Sequence, residues 1–335
     1  AEEAAYFHNT LENITSALNL FYFPSSFKNK KNYRLLNASH VMLRTECLTR
    51  FSNPMGQNRV GAIVTYPEAL FEKVVLPKTL SANIISIKQG DTIDTNAIYE
   101  KFVGYGFTRT DFVYEPGQFA VRGGILDIYS FGNEKPYRIE LFGNEVDSIR
   151  IFDPETQLSE RKLLQVSIIP NVETQFDSGE KVSIMEFLPE NTVVWSEDWN
   201  FIKEKIEQQE EDLQLYLELL KQNPVSSSSL QDDEESYLAK TDINETDFVT
   251  ATILESEIKQ RHIIEFGQKA NFDTNNNQQI TVNFSTKEQP SFNRQFDLLI
   301  RDLKSWEAKK FQLFIFAENP RQLERMQSIF DDLKA

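Results

Sequence analysis

Arg122, Arg138, Glu140, Phe142 and Arg150 fall in one β-patterned stretch, and their side chains suit recognition rather than bond-breaking chemistry. Arginine offers a planar fork that matches the two oxygens of a carboxylate. Phenylalanine buries a large area at little entropic cost, so the two together compose an interface hot spot. If "YRIELF" is a strand, Tyr137, Ile139 and Leu141 share one face while Arg138, Glu140 and Phe142 share the other. In "FAVRGGILDI" the phase that turns Phe119, Val121 and Ile125 inward turns Arg122 outward, toward Arg138. A cross-strand ion pair beside an incidental exposed ring accounts for the same pattern, and both readings stay open. Gly123 and Gly124 interrupt the apolar run; paired glycines there predict a bulge or a close backbone approach that re-aims the sheet edge and presents Arg122.

Other chemistries lack their residues. The sequence contains neither a GxxxxGK[ST] phosphate loop nor a GxSxG elbow. His8, His40 and His262 stand alone, outside any metal-ligand spacing. The single cysteine, Cys47, excludes an intramolecular disulfide and a multi-cysteine metal site, and reads as a small buried residue on a helix. Runs such as Glu210-Glu211-Asp212 and Asp232-Asp233-Glu234-Glu235 read as solvated surface. A formal net charge of -16 argues against a broad basic surface for nucleic acid. Even residues 105–170 hold seven Lys and Arg against ten Asp and Glu, so the arginines act as local contacts and not as a basic field.

The elements that must position these residues follow from periodicity. Up to about residue 104, helical spacing ("AAYFHNTLENIT", "HVMLRTECLTRF", "TNAIYEKFVGYGF") alternates with strand-like runs ("LFYFP", "GAIVTYP", "NIISIKQG"), which predicts a mostly parallel sheet covered by helices. From 107 to 170 the helical period gives way to β runs separated by turns at Gly132-Asn133 and Gly143-Asn144. Helix and strand patterns then return: "NTVVWSED", a long polar helix carrying Ile206, Leu213, Leu217 and Leu220 on one face, and "RHIIEFG". Loops are expected at "NPVSSSSLQDDEES" and "FDTNNNQQ". The last forty-odd residues predict helix, strand "FQLFIFA" and a final helix capped by Asn319 with Pro320 at its first position.

The 335 residues allow two or three domains, and 26 phenylalanines predict cores filled with aromatic rings. The organisation expected is a discontinuous α/β domain, residues 1–104 and 190–335, carrying an inserted, mainly antiparallel β domain at 105–189. No apolar run approaches the roughly 20 residues that span a bilayer, so a cytoplasmic protein without a membrane partner is expected. The chain opens with Ala1 and not Met, which fits a piece of something longer.

The run "YEPGQFAVRGGILDIYSFGNEKPYRIELFGNEVDSIRIFDPETQ" closely resembles the UvrB-like, UvrA-docking domain of the transcription-repair coupling factor (Mfd) family. "NASHVMLRTECLTRF", "VTYPEALFEKVV" and "FIFAENPRQLERMQSIF" look like the flanks of that domain. The resemblance implies that the flanking α/β domain is a degenerate helicase-like, P-loop NTPase-like fold without a working nucleotide site. It further implies that the inserted domain binds UvrA, recruiting nucleotide excision repair to stalled RNA polymerase, with no catalysis of its own. Position by position, the family's contacting residues fall on Arg122, Arg138 and Phe142, with Glu140 and Arg150 in the same motif block. ATP, magnesium, RNA polymerase and double-stranded DNA are implied only for other parts of the full-length protein, so no cofactor is expected here. In the full-length family the docking face is thought to be masked by a distant domain. On this reading Arg138→Ala or Phe142→Ala weakens UvrA binding by roughly tenfold or more with folding intact. The rival readings are a DNA-binding module and an ATP-driven motor fragment of a UvrB or helicase-type repair protein.

Overall fold

The computed structural model describes residues 1–15, 18–29, 32–52, 61–174, 176, 178–222, 243–267, 270–272, 280–283, 291–292, 295–317 and 319–333. Two compact units divide the chain, 1–273 and 274–335. The first begins with α1 (Glu2–Ile14), β1 (Asn19–Phe23), the hairpin β2 (Phe27–Asn29) and β3 (Asn32–Leu36), α2 (Ala38–Ser52) and β4 (Gly61–Thr65). It continues through α3 (Pro67–Leu70), β5 (Val74–Val75), α4 (Pro77–Asn83), β6 (Ile85–Lys88) and α5 (Thr95–Gly104). Start signals are local. Proline occupies the first turn of α3 and of α4, and the Asp94 side chain accepts from the amides of Asn96 and Ala97 at the start of α5. Cys47 lies buried on α2, where burial pushes its thiol pKa up.

The broad parallel sheet expected from the alternating pattern does not form among the described residues. β1 and β4 pair parallel as a two-stranded sheet, and so do β15 (Val193–Ser196) and β16 (His262–Glu265) later in the chain. β6 instead pairs antiparallel with β13 (Gln165–Ile168), and in "EALFEKVV", which reads as a helix throughout, the helix ends at Leu70 and β5 pairs antiparallel with β14 (Lys181–Val182). Hydrophobic periodicity reveals that a segment is a strand; it carries no information about which strand lies beside it. The two antiparallel pairs are nested, so the chain enters and leaves the segment between them side by side.

That segment holds a six-stranded sheet with order β7-β8-β9-β10-β11-β12: β7 (Thr108–Arg109), β8 (Gln118–Arg122), β9 (Ile125–Ile128), β10 (Tyr137–Phe142), β11 (Glu145–Phe152) and β12 (Ser159–Leu163). All neighbours are antiparallel except β7 and β8. One face carries Phe119, Leu126, Ile128, Tyr137, Ile139 and Ile149 into the core, where Phe102 of α5 meets Phe119 edge-on with 5.6 Å between centroids. β12 reads "SERKL", almost wholly exposed; a charged edge strand has no apolar alternation to betray it.

The stretch from Gln118 to Phe131 corrects the expectation of one strand bent by a bulge. Gly123 and Gly124 are the two-residue turn of a hairpin, with Arg122 paired to Ile125. Gly123 has φ +59, the left-handed value that a side chain disfavours. Gly124 is needed for closeness: a Cβ there would sit 2.7 Å from the carbonyl oxygen of Leu141, whose own amide donates to the Gly124 carbonyl at 2.7 Å. The expected close backbone approach is therefore present, and it locks two adjacent hairpins together.

Beyond β14 the first unit adds α6 (Ile184–Phe187), α7 (Trp199–Gln222) and α8 (Ala251–Ile258). Ile206 and Leu213 of α7 are buried as their spacing predicts. Glu210, expected on the solvated side, turns inward and accepts from the amide of Ala251 at 2.6 Å, at the N-terminus of α8. Arg44 of α2 is wholly buried. Its Nε donates to Glu173 at 2.6 Å, its Nη1 to the Pro24 carbonyl at 2.9 Å, and its Nη2 lies 3.4 Å from Glu72. The second unit holds α9 (Phe296–Ala308) and α10 (Pro320–Asp332), the latter capped by Asn319 through the Gln322 amide at 3.0 Å. Residues 311–317, expected as a strand, form none, and Phe314 and Phe316 are exposed. A strand requires a hydrogen-bonding neighbour, and the described residues of this unit supply no other. "NPVSSSSLQDDEES", and all of "FDTNNNQQ" but its first residue, lie outside the described residues.

Candidate docking face

Cross-strand register builds the second face of the six-stranded sheet in rows. One row runs Ala120, Asp127, Arg138, Arg150, Lys162; the next runs Arg122, Ile125, Glu140, Ser148. Arg122, Arg138, Glu140 and Arg150 therefore share a face, as alternation within each strand requires. Ile125 belongs to this face and not to the core, contrary to expectation. The two-residue turn resets the phase, so Ile125 follows Arg122 and not Val121.

Asp127 organises the row. Its carboxylate, 1% exposed, receives Arg138 Nε at 2.8 Å and Nη2 at 2.9 Å, and Arg122 Nη2 at 2.5 Å. The bond to Asp127 raises the Arg138 guanidinium above its ordinary pKa. Arg138 Nη1 donates to the Gln157 carbonyl at 3.0 Å, and Arg122 Nη1 to the Asp111 carbonyl at 2.7 Å. Each guanidinium also lies over an aromatic ring, Arg122 over Phe112 at 4.6 Å and Arg138 over Phe152 at 4.4 Å. Gln157 reaches Arg138 from a backbone with φ +60, and its side-chain amide donates to the carbonyls of Val113 and Pro154. Val113, Ala120, Tyr129 and Phe152 form a small buried cluster under this end.

The face is thus closed at one end and open at the other. Both arginines are engaged within the protein, Arg138 at 14% and Arg122 at 34% exposure of the side chain. Glu140 accepts from Ser148 Oγ at 2.5 Å and lies 3.6 Å from Arg150 Nη2. Phe142, at the end of β10, is 83% exposed, and Phe112 and Tyr114 add exposed rings. Alternation places Arg122, Arg138, Glu140 and Arg150 on one face; Asp127, Phe112 and Lys162 join them only in the folded chain. The signal for Asp127 was there: a carboxylate inside the apolar strand "ILDI" must find cationic partners to be buried.

The face combines internally paired cations with an exposed aromatic ring, a composition that suits contact with another protein. Residues 85–173, from the start of β6 to Glu173, match the family model of the UvrB interaction domain. The chain is similar to bacterial transcription-repair-coupling factors. It is 24% identical over 318 residues to the transcription-repair-coupling factor of Bacillus subtilis, covering 82% of this chain and 27% of that protein. With that of Borreliella burgdorferi it shares 35% identity over 118 residues, 35% of this chain and 10% of that protein. With that of Staphylococcus haemolyticus it shares 46% over 84 residues, 25% of this chain and 7% of that protein. The matched stretch spans 27% or less of the length of these relatives. No helix among the described residues is long and apolar enough to cross a membrane.

Proposed function

We propose that this chain is the UvrB-like module of a bacterial transcription-repair coupling factor and that it docks UvrA through the open end of the charged sheet face. In this reading Phe142 buries its ring against the partner, Arg122 and Arg150 meet partner carboxylates, and Arg138 holds the platform through Asp127. Glu140 orients Arg150. The module is non-catalytic and needs no cofactor; recruitment of nucleotide excision repair to a stalled RNA polymerase on double-stranded DNA, in the cytoplasm, falls to the full-length protein. The inserted domain then corresponds to residues 105–189, between the α/β segments 1–104 and 190–335.

The observation that carries this reading is Phe142, an 83% exposed ring at the end of the strand that carries Arg138 and Glu140, within a segment that matches the UvrB interaction domain. Large exposed aromatics flanked by arginine are the usual anchors of interfaces. The test is a calorimetric titration of the chain with UvrA from the same organism. Phe142→Ala should weaken binding by about tenfold or more and leave thermal melting unchanged. Unchanged affinity would remove the assignment.

A further inference from the structure

Two cross-strand neighbours on the docking face carry like charge. Arg138 faces Arg150, and Arg150 faces Lys162, as direct register partners on β10, β11 and β12. Like charges placed directly opposite one another destabilise a sheet, so their retention asks for a counter-charge. The protein supplies it incompletely. Asp127 serves both Arg122 and Arg138, and Glu140 is bonded to Ser148 while standing 3.6 Å from Arg150. The two rows thus set Arg122, Arg138, Arg150 and Lys162 against Asp127 and Glu140. Arg150 Nε is buried without a hydrogen-bond partner. Among the described residues exposed Lys162 has no ion-pair partner.

A groove of about 310 Å³ opens between these cations, walled by Gln89, Ser148, Arg150, Lys162 and exposed Leu164. Asp147 lines it as well, its carbonyl taken by Gln89 Nε2 at 2.8 Å. We propose that this groove is the subsite for an Asp or Glu side chain of the docking partner, paired with Arg150 and Lys162 together. The inference rests on the docking role proposed above and adds the chemistry that the partner must bring. An arginine fork beside a lysine suits a single carboxylate, and that carboxylate would relieve the repulsion between β11 and β12. An extended polyanion is disfavoured, because Asp127, Glu140 and Asp147 flank the cations and the whole chain carries a net charge of -16.

Titration of the chain with UvrA separates the two proposals. Lys162→Glu and Arg150→Gln should each weaken binding by about tenfold or more with thermal melting unchanged, and added salt should weaken the wild type more steeply than Lys162→Glu. Lys162→Ala, which removes the charge without reversing it, serves if the reversal disturbs folding. Wild-type affinity in both Arg150 and Lys162 variants overturns the groove assignment; if Phe142→Ala still weakens binding, the docking role survives it. Failure of the unaltered chain to bind UvrA overturns both. If Lys162→Glu instead abolishes binding to a duplex oligonucleotide and leaves UvrA affinity untouched, the occupant is a phosphate and the proposal fails.

Discussion

Asp127 and Arg138 meet as direct partners on adjacent antiparallel strands, Nε 2.8 Å from Oδ1 and Nη2 2.9 Å from Oδ2, with the carboxylate nearly sealed from water. This bidentate pair separates two roles that the sequence treats alike. Arg138 is held within the face at 14% exposure, whereas the Phe142 ring is 83% exposed.

Removing Arg138 strips a buried carboxylate of its bidentate partner and leaves, among the described residues, the single bond from Arg122. Arg138→Ala should therefore lower the unfolding free energy by about 2 kcal/mol, apart from any effect on partner binding. Urea denaturation measures this. A loss as small as that of Phe142→Ala, expected within about 0.5 kcal/mol of wild type, would mean that the pair contributes nothing net.

The two turn glycines should respond differently from one another. Gly124→Ala pushes a Cβ against the Leu141 carbonyl and should loosen the contact between the hairpins, exposing the Leu141 amide to hydrogen exchange. Gly123→Ala meets open space and only the left-handed φ, a cost of about 1–2 kcal/mol without displacement of the neighbouring hairpin. Equal exchange protection at Leu141 in both variants would contradict this.

Glu255 accepts from Lys203 Nζ at 2.7 Å and from Lys259 Nζ at 2.5 Å, and these bonds hold its carboxyl down to about 2. Because the folded value lies below the ordinary one of 4.5, the stabilisation is complete above pH 4.5 and fades as pH falls toward 2. The difference in melting temperature between wild type and Glu255→Gln should be constant from pH 7 to about 5 and shrink below about 4.5. Partial exposure makes the effect modest and sensitive to salt. A gap that persists at pH 2 would point to packing in place of charge.

What the sequence by itself determined are the features that depend on near neighbours in the chain. The helices α1, α2, α5 and α7, the cap at Asn319, the turn at Gly143-Asn144 and the shared face of Arg138 and Glu140 all follow from spacing and local hydrogen bonding. Pairing was decided only in three dimensions. β6 looks like a member of a parallel sheet until β13 closes on it, Val74–Val75 sit in a helical pattern until β14 pairs with them, and "FQLFIFA" looks like a strand but forms none in its unit. The site divides in the same way. Arginines at 122 and 138 are legible as outward-facing, but their shared claim on Asp127 depends on register across three strands. Alternation assigns a residue to a face with a period of two; a two-residue turn and long-range register then decide which charges meet, and no local pattern encodes either.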